Sequence, residues 1–167
     1  MVPTLGRGPH GPAKMSPDPA EPRPGPVLLY DGECGLCNRA VRALLRMDRR
    51  GILRFATLQG APGQAWLRAH GLPQGDFESM VFVRDWEGAG TGGPADYALR
   101  TDGLVAALEV CGGLGGVLAW IRFVPRPLRD GAYRIVARIR YRVFGAWKPR
   151  PLARPEYEKR FITGPSS

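Results

Sequence analysis

Two cysteines three positions apart, Cys34 and Cys37 in the stretch YDGECGLC that starts at Tyr30, have the type and spacing that most directly suggest chemistry. A C-x-x-C pair closes a small disulfide loop when a helix begins at the first cysteine, because the second thiol then returns beneath the first. At a helix N-terminus the unpaired N–H groups and the positive end of the helix dipole favour a thiolate. Cys34 is therefore expected to be the nucleophile and to face solvent, and Cys37, on the inner side, to be the shielded resolving thiol. The carboxylates of Asp31 and Glu33 oppose this by disfavouring a nearby thiolate, an effect similar in size to the dipole's ~1 kcal/mol. Asp31 has two readings of its own. It either accepts the proton of the buried thiol during exchange or is the first residue of an Asp-Gly turn, bonding the N–H groups that follow.

Two other readings of the pair stand beside redox exchange. A structural zinc site needs further ligands, and the remaining candidates are His10, His70 and Cys111, with no second closely spaced pair among them. An inert pair of small residues in a turn is the third reading. Cys111 falls on an apolar helical face with Leu104 and Leu108 and reads as a core thiol. His70 precedes Gly71 at the end of a short helical stretch and reads as a C-terminal cap.

The elements that must position the pair follow from hydrophobic patterning. Residues 1–26 hold eight prolines and four glycines, too little apolar surface to offset the entropy of ordering, and are expected to form a disordered leader. VLLY is a short buried strand ended by Asp31-Gly32. The helix that follows has Cys37, Val41, Leu44 and Leu45 on one face and Arg39, Arg42, Arg46 and Arg49 on the other. A second strand is expected within Ile52 to Leu58, a short helix over Gln64 to His70, and a third strand in SMVFVRD. A fourth, YALR, pairs with the third as a hairpin across EGAGTGG. A helix from about Asp102 to Val110 then breaks at Gly112 to Gly116.

Strand, helix, strand, helix, strand, strand, helix is the order of a thioredoxin-like α/β fold, a four-stranded mixed sheet flanked by helices. Beyond it, VLAWIRFV and LRDGAYRIVARIRYRVFG read as an added C-terminal helical layer. The second has Ala132, Ile135, Val136, Ile139 and Val143 on the face expected to pack on the domain, with Arg134, Arg138 and Arg142 opposite. Trp120, Phe144 and Trp147 are expected to pack these helices, and Trp66 or Trp86 to flank the thiols. The domain is expected over residues 27–145 and an extended tail over 146–167, with YEKRF offering aromatics for folding back.

The segment from Tyr30 to Gly60, together with GLPQGDFESMVFVRD and the stretch from Leu99 to Gly145, resembles the DCC family of thiol-disulfide oxidoreductases, named for an Asp-x-x-Cys-x-x-Cys motif, here Asp31, Cys34 and Cys37. The resemblance implies a thioredoxin-like fold, a dithiol/disulfide site at Cys34 and Cys37, and a functional Asp31. Gly35 and Leu36, between the thiols, and Ser79, before the third strand, are the expected substrate contacts. Thioredoxins place a cis-proline at that junction, whereas Glu78 and Ser79 stand here, so the substrate groove must be built differently.

The chain carries 24 Lys and Arg against 15 Asp and Glu, a formal net charge of +9, with Lys14, Lys148 and Lys159 its lysines. So arginine-rich a balance favours anionic partners, although an Arg, Gly, Pro and Ala bias also follows from a GC-rich genome. No aromatic pattern for base stacking accompanies the arginine stripe, so nucleic acid is not expected and peripheral membrane contact is the weaker expectation. Three cysteines are too few for a disulfide-stapled secreted domain, which points to a reducing, cytoplasmic setting. The expected activity is exchange with a protein or low-molecular-weight thiol or disulfide, with no bound cofactor and no metal. The alternative is a non-enzymatic thioredoxin-like module docking on a partner or an anionic membrane surface through its basic C-terminal helices.

Overall fold

The structure, a computed structural model, describes residues 25–75, 77, 80–86, 97–148 and 150–163. Nearly all of the expected leader, the tip of the expected hairpin, and both Glu78 and Ser79 lie outside the described residues.

Strand β1 (Val27–Tyr30) runs parallel to β2 (Arg54–Thr57) and antiparallel to β3 (Val81–Val83), which pairs antiparallel with β4 (Tyr97–Leu99). The order is β2-β1-β3-β4, the expected thioredoxin-like mixed sheet. Both faces are covered, so the strands are continuous apolar runs rather than alternating ones. On one face Leu28, Tyr30, Phe55 and Phe82 pack against helices α1 (Gly35–Met47) and α3 (Arg100–Cys111). On the other, Val27, Leu29, Ala56 and Val81 pack against Trp66 and Leu67 of α2 (Ala61–Ala69). Burial of each large side chain such as Phe55 or Phe82 stabilises the fold by about 1.5–3 kcal/mol. Trp66 and Trp86 thus sit on the α2 face, away from α1, and do not flank the thiols.

Helix α2 starts three residues earlier than expected because Pro62 suits its first turn, with Gly60 as cap. Gly112, at φ +61°, ends α3. The glycine run then does more than break a helix: α4 (Gly113–Leu118) starts at once and leads through a 3-10 turn (Ala119–Phe123) into α5 (Arg126–Phe144). Both α4 and α5 pack on α1 and α3, forming an outer layer.

That layer is present as expected, but α5 is turned around. Ala132, Ile135, Val136, Ile139 and Val143 face outward, Ile135 at 62 % and Val143 at 63 % exposure, while Arg129 and Arg140 are buried. The physical reason lies in the partners beneath. Asp102 pairs with Arg129 at 3.0 Å and the buried Asp31 with Arg140 at 3.3 Å, so the face that carries these two arginines turns inward, while Arg134, Arg138 and Arg142 stay exposed as expected. Trp120, expected to pack, is 72 % exposed.

The C-terminal segment folds back over the domain. Its 3-10 turn (Pro155–Arg160) brings the Arg160 guanidinium onto the buried carboxylate of Asp48, and Phe161 pairs beside Phe55, with ring centroids 5.6 Å apart. Ile162 N–H donates to Phe55 O at 2.8 Å, continuing the sheet past β2. Among the described residues no helix is long and apolar enough to cross a membrane.

Candidate active site

Cys34 is the N-cap of α1, with extended backbone (φ −81°, ψ 121°), and its side chain takes the place of the usual Ser or Asp oxygen by accepting from Cys37 N–H at 3.4 Å. The turn before it is tied down locally. Cys34 N–H donates to Asp31 O at 3.3 Å, and the Asn38 amide donates to Gly32 O at 2.8 Å and Cys34 O at 3.0 Å. Cys37, one turn on, lies on the inner face with Val41, Leu44 and Leu45. Both cysteines are free thiols.

Their acidities are driven apart. The hydrogen bond from the Cys37 thiol is the largest influence on Cys34 and outweighs burial. With help from the Cys37 N–H and the Arg140 charge it lowers the Cys34 pKa to about 6. The Cys37 thiol is pushed well up, first by that same bond to Cys34, then by burial and by the charge of the neighbouring thiolate. One sulfur is thus the anion and the other its proton-bearing donor.

Asp31 lies beside the pair and is buried. Its Oδ1 accepts from Glu33 N–H at 3.0 Å, the bond of the expected Asp-Gly turn, and from Gln59 Nε2 at 2.7 Å. Oδ2 accepts from Arg140 Nη2 at 3.3 Å and from the Tyr141 hydroxyl. Four donors fill the four lone-pair directions of a carboxylate. Arg140 also reaches Cys37 Sγ at 3.8 Å through Nη1 and donates to Phe77 O through Nη2. The carboxylate that was expected to oppose the thiolate is matched by a guanidinium from α5. Glu33, the other acid, is exposed.

The expectation that Cys34 faces solvent is corrected. It is 0 % exposed, because the chain leaving α5 crosses over it as a strap. Cys34 and Ala146 form an antiparallel bridge, Gly35 N–H donates to Gly145 O at 3.2 Å, and Trp147 N–H donates to Glu33 O at 2.7 Å. Arg39 over the Phe144 ring (5.7 Å) and Arg42 over Trp147 (5.0 Å) hold the strap's flanks. A Cβ on Gly35 would stand 2.6 Å from Phe144 O and 2.9 Å from Gly145 O, so the strap needs glycine there. Of the residues expected to contact substrate, Gly35 has its amide engaged by the strap, Leu36 is half-buried against the α1 side of the core, and Ser79 is outside the described residues.

A cavity of about 500 Å³ opens beside Asp31 and Arg140, with Phe77, Arg100, Tyr133, Arg138 and Tyr141 also among its walls. At the entry to β3, the Met80 N–H donates to the Tyr133 hydroxyl at 3.2 Å. The edge where thioredoxins place their cis-proline is thus met by α5. Sequence reasoning missed Gln59, Arg140, Tyr141 and the strap as parts of the site. The available signal was the RYR-x-FG run, which contains Arg140, Tyr141 and Gly145.

The DCC1-like thiol-disulfide oxidoreductase family matches residues 28–146. The chain is 36 % identical over 148 residues to a Bacillus subtilis (strain 168) protein named "Uncharacterized protein YuxK", covering 86 % of this chain and 98 % of that protein. It is 30 % identical over 121 residues to an Arabidopsis thaliana DCC family protein named as chloroplastic, covering 72 % of this chain and 65 % of the relative. No solved structure matches it.

Proposed function

The chain belongs to the DCC1-like thiol-disulfide oxidoreductase family, and from that premise we propose that it exchanges thiols with disulfides through Cys34, resolved by Cys37. The observation that carries this reading is the divergence of the two thiols: Cys34 is an N-cap sulfur brought to a pKa of about 6, and Cys37 is a buried proton donor to it. At neutral pH Cys34 is then mostly thiolate, the form that attacks.

The Cys34 thiolate attacks one sulfur of a substrate disulfide R–S–S–R′. The S–S bond breaks, R′S⁻ leaves and takes a proton, and Cys34 carries the mixed disulfide. With the Cys34 charge gone, its bond to the Cys37 proton is lost, and Cys37 gives that proton to the departing R′S⁻. Its thiolate, 3.8 Å from Arg140 Nη1, attacks Cys34 Sγ, forming the Cys34–Cys37 disulfide and releasing RS⁻. Two electrons have passed to the substrate, and an external dithiol returns them. Asp31 already accepts four hydrogen bonds, so we assign it to holding Arg140 against the sulfurs rather than to taking the Cys37 proton. Because Cys34 is covered, a substrate reaches it only when the strap at Gly145 to Trp147 lifts. Protein or low-molecular-weight disulfides are the substrate class, and a reducing cytoplasm is the setting that suits the free thiols.

Trapping tests the reading. Cys37→Ser mixed with a small disulfide at neutral pH is expected to accumulate a stable mixed disulfide at Cys34, visible by intact mass, and Cys34→Ser to accumulate none. A Cys37→Ser protein that stays unmodified would overturn it.

A further inference from the structure

The orientation of α5 leaves an apolar surface that none of the described residues covers. Of the large apolar side chains exposed among the described residues, all but Tyr97 fall between Leu114 and Val143. On α5, Tyr141 apart, they are Leu128, Ile135, Val136, Ile139 and Val143, one stripe at helical spacing. On α4 and the turn after it, Trp120 at 72 % and Phe123 at 70 % exposure lead the group, their rings packed edge to face at 5.7 Å. Monomeric proteins rarely leave so continuous an apolar surface in water.

We propose that this outer layer lies on an anionic lipid bilayer, with α5 in the interface plane. Charge selects this occupant. Between Gly112 and Trp147 the sequence holds seven arginines and one acid, Asp130. Four of the arginines have carboxylate partners: Arg122 on Glu109, Arg126 and Arg129 on Asp102, and Arg140 on Asp31. Arg134, Arg138 and Arg142 are exposed, have no carboxylate partner among the described residues, and form a row along one edge of the apolar stripe.

A second copy packed antiparallel on the stripe would set that row against itself, because like edges meet in an antiparallel helix pair. Trp, Phe and Leu beside a row of arginines is instead the composition of helices that rest among lipid headgroups, where guanidinium groups reach phosphates and apolar side chains enter the acyl boundary. The proposal stands apart from the thiol chemistry and uses none of its groups.

The test is flotation of the full chain with phosphatidylcholine vesicles, with and without about 30 % phosphatidylglycerol. Binding is expected to the anionic vesicles at ~0.1 M salt, and several-fold less at ~0.5 M. The double variant Trp120→Glu/Phe123→Glu, at two side chains that hold no core, is expected to bind at least about tenfold more weakly. It should keep the pH midpoint of Cys34 alkylation, which reports an intact fold and site. Three results would overturn the proposal: no binding by the wild type, equal binding by the double variant, or a wild-type dimer in sedimentation velocity that the double variant dissolves.

Discussion

Arg140 works on both thiols from a helix more than a hundred residues downstream. It touches Cys37 Sγ, its charge lowers the pKa of Cys34, and the saturated carboxylate of Asp31 holds it in place. Its effect is measurable apart from the Cys34–Cys37 hydrogen bond. The rate of Cys34 alkylation should rise about tenfold per pH unit up to a midpoint near 6 and then level off, since only the thiolate reacts. In Arg140→Gln the midpoint should move up by about one unit, the removal of one nearby positive charge. An unmoved midpoint would mean that the hydrogen bonds alone hold the anion. At this scale Cys34, Cys37 and the turn bond of Asp31 were legible, because spacing and an Asp-Gly pair are local signals. Arg140 and Tyr141 were not legible, because their meeting with Asp31 depends on which side of α5 turns inward.

That side is where element-level reading failed for a physical reason. Periodicity shows that α5 has an apolar stripe, and the ordinary hydrophobic argument sends such a stripe to the core. The argument is overridden here by the buried carboxylate of Asp31 and the half-exposed one of Asp102, whose pairing with Arg140 and Arg129 no periodicity reveals. The sheet and α1 were read correctly because both of their determinants, apolar runs and a turn followed by an amphipathic stretch, lie within the segment itself. The strap was missed because its contacts are backbone bonds between Glu33 to Gly35 and Gly145 to Trp147. Gly35→Ala tests it. The new methyl group meets two carbonyl oxygens, so the strap must shift. Stability should fall by roughly 1–3 kcal/mol, read from the urea midpoint. Cys34 alkylation at fixed pH should become faster, whereas a slower or unchanged rate would mean that the strap does not limit access. Of the two residues between the thiols, then, Leu36 alone is open to replacement without moving the cover.

For the whole molecule, the stabilised thiolate sets the equilibrium between dithiol and disulfide. A pKa near 6 favours the reduced protein over one with thioredoxin's value near 7, which at neutral pH is worth about 1 kcal/mol. Converted for two electrons, the potential should lie roughly 20–30 mV above thioredoxin's value of about −270 mV. Equilibration in glutathione buffers measures it, and a potential at or below thioredoxin's would show that strain or burial of the disulfide outweighs the anion. The fold class and the location of the pair were legible at this scale, because the order of elements determines both. The outer layer's orientation was not, since it is decided by contacts between distant segments. The strap over Cys34 and the guanidinium beside it have one further consequence, for the chain during synthesis. Both come from the same short stretch, Arg140 to Trp147, so a ribosome-bound fragment that stops short of it lacks the guanidinium and the cover and keeps only the Cys37 hydrogen bonds to Cys34. The last increment of acidity and the shield over the sulfur thus arrive together, at the end of synthesis of the domain.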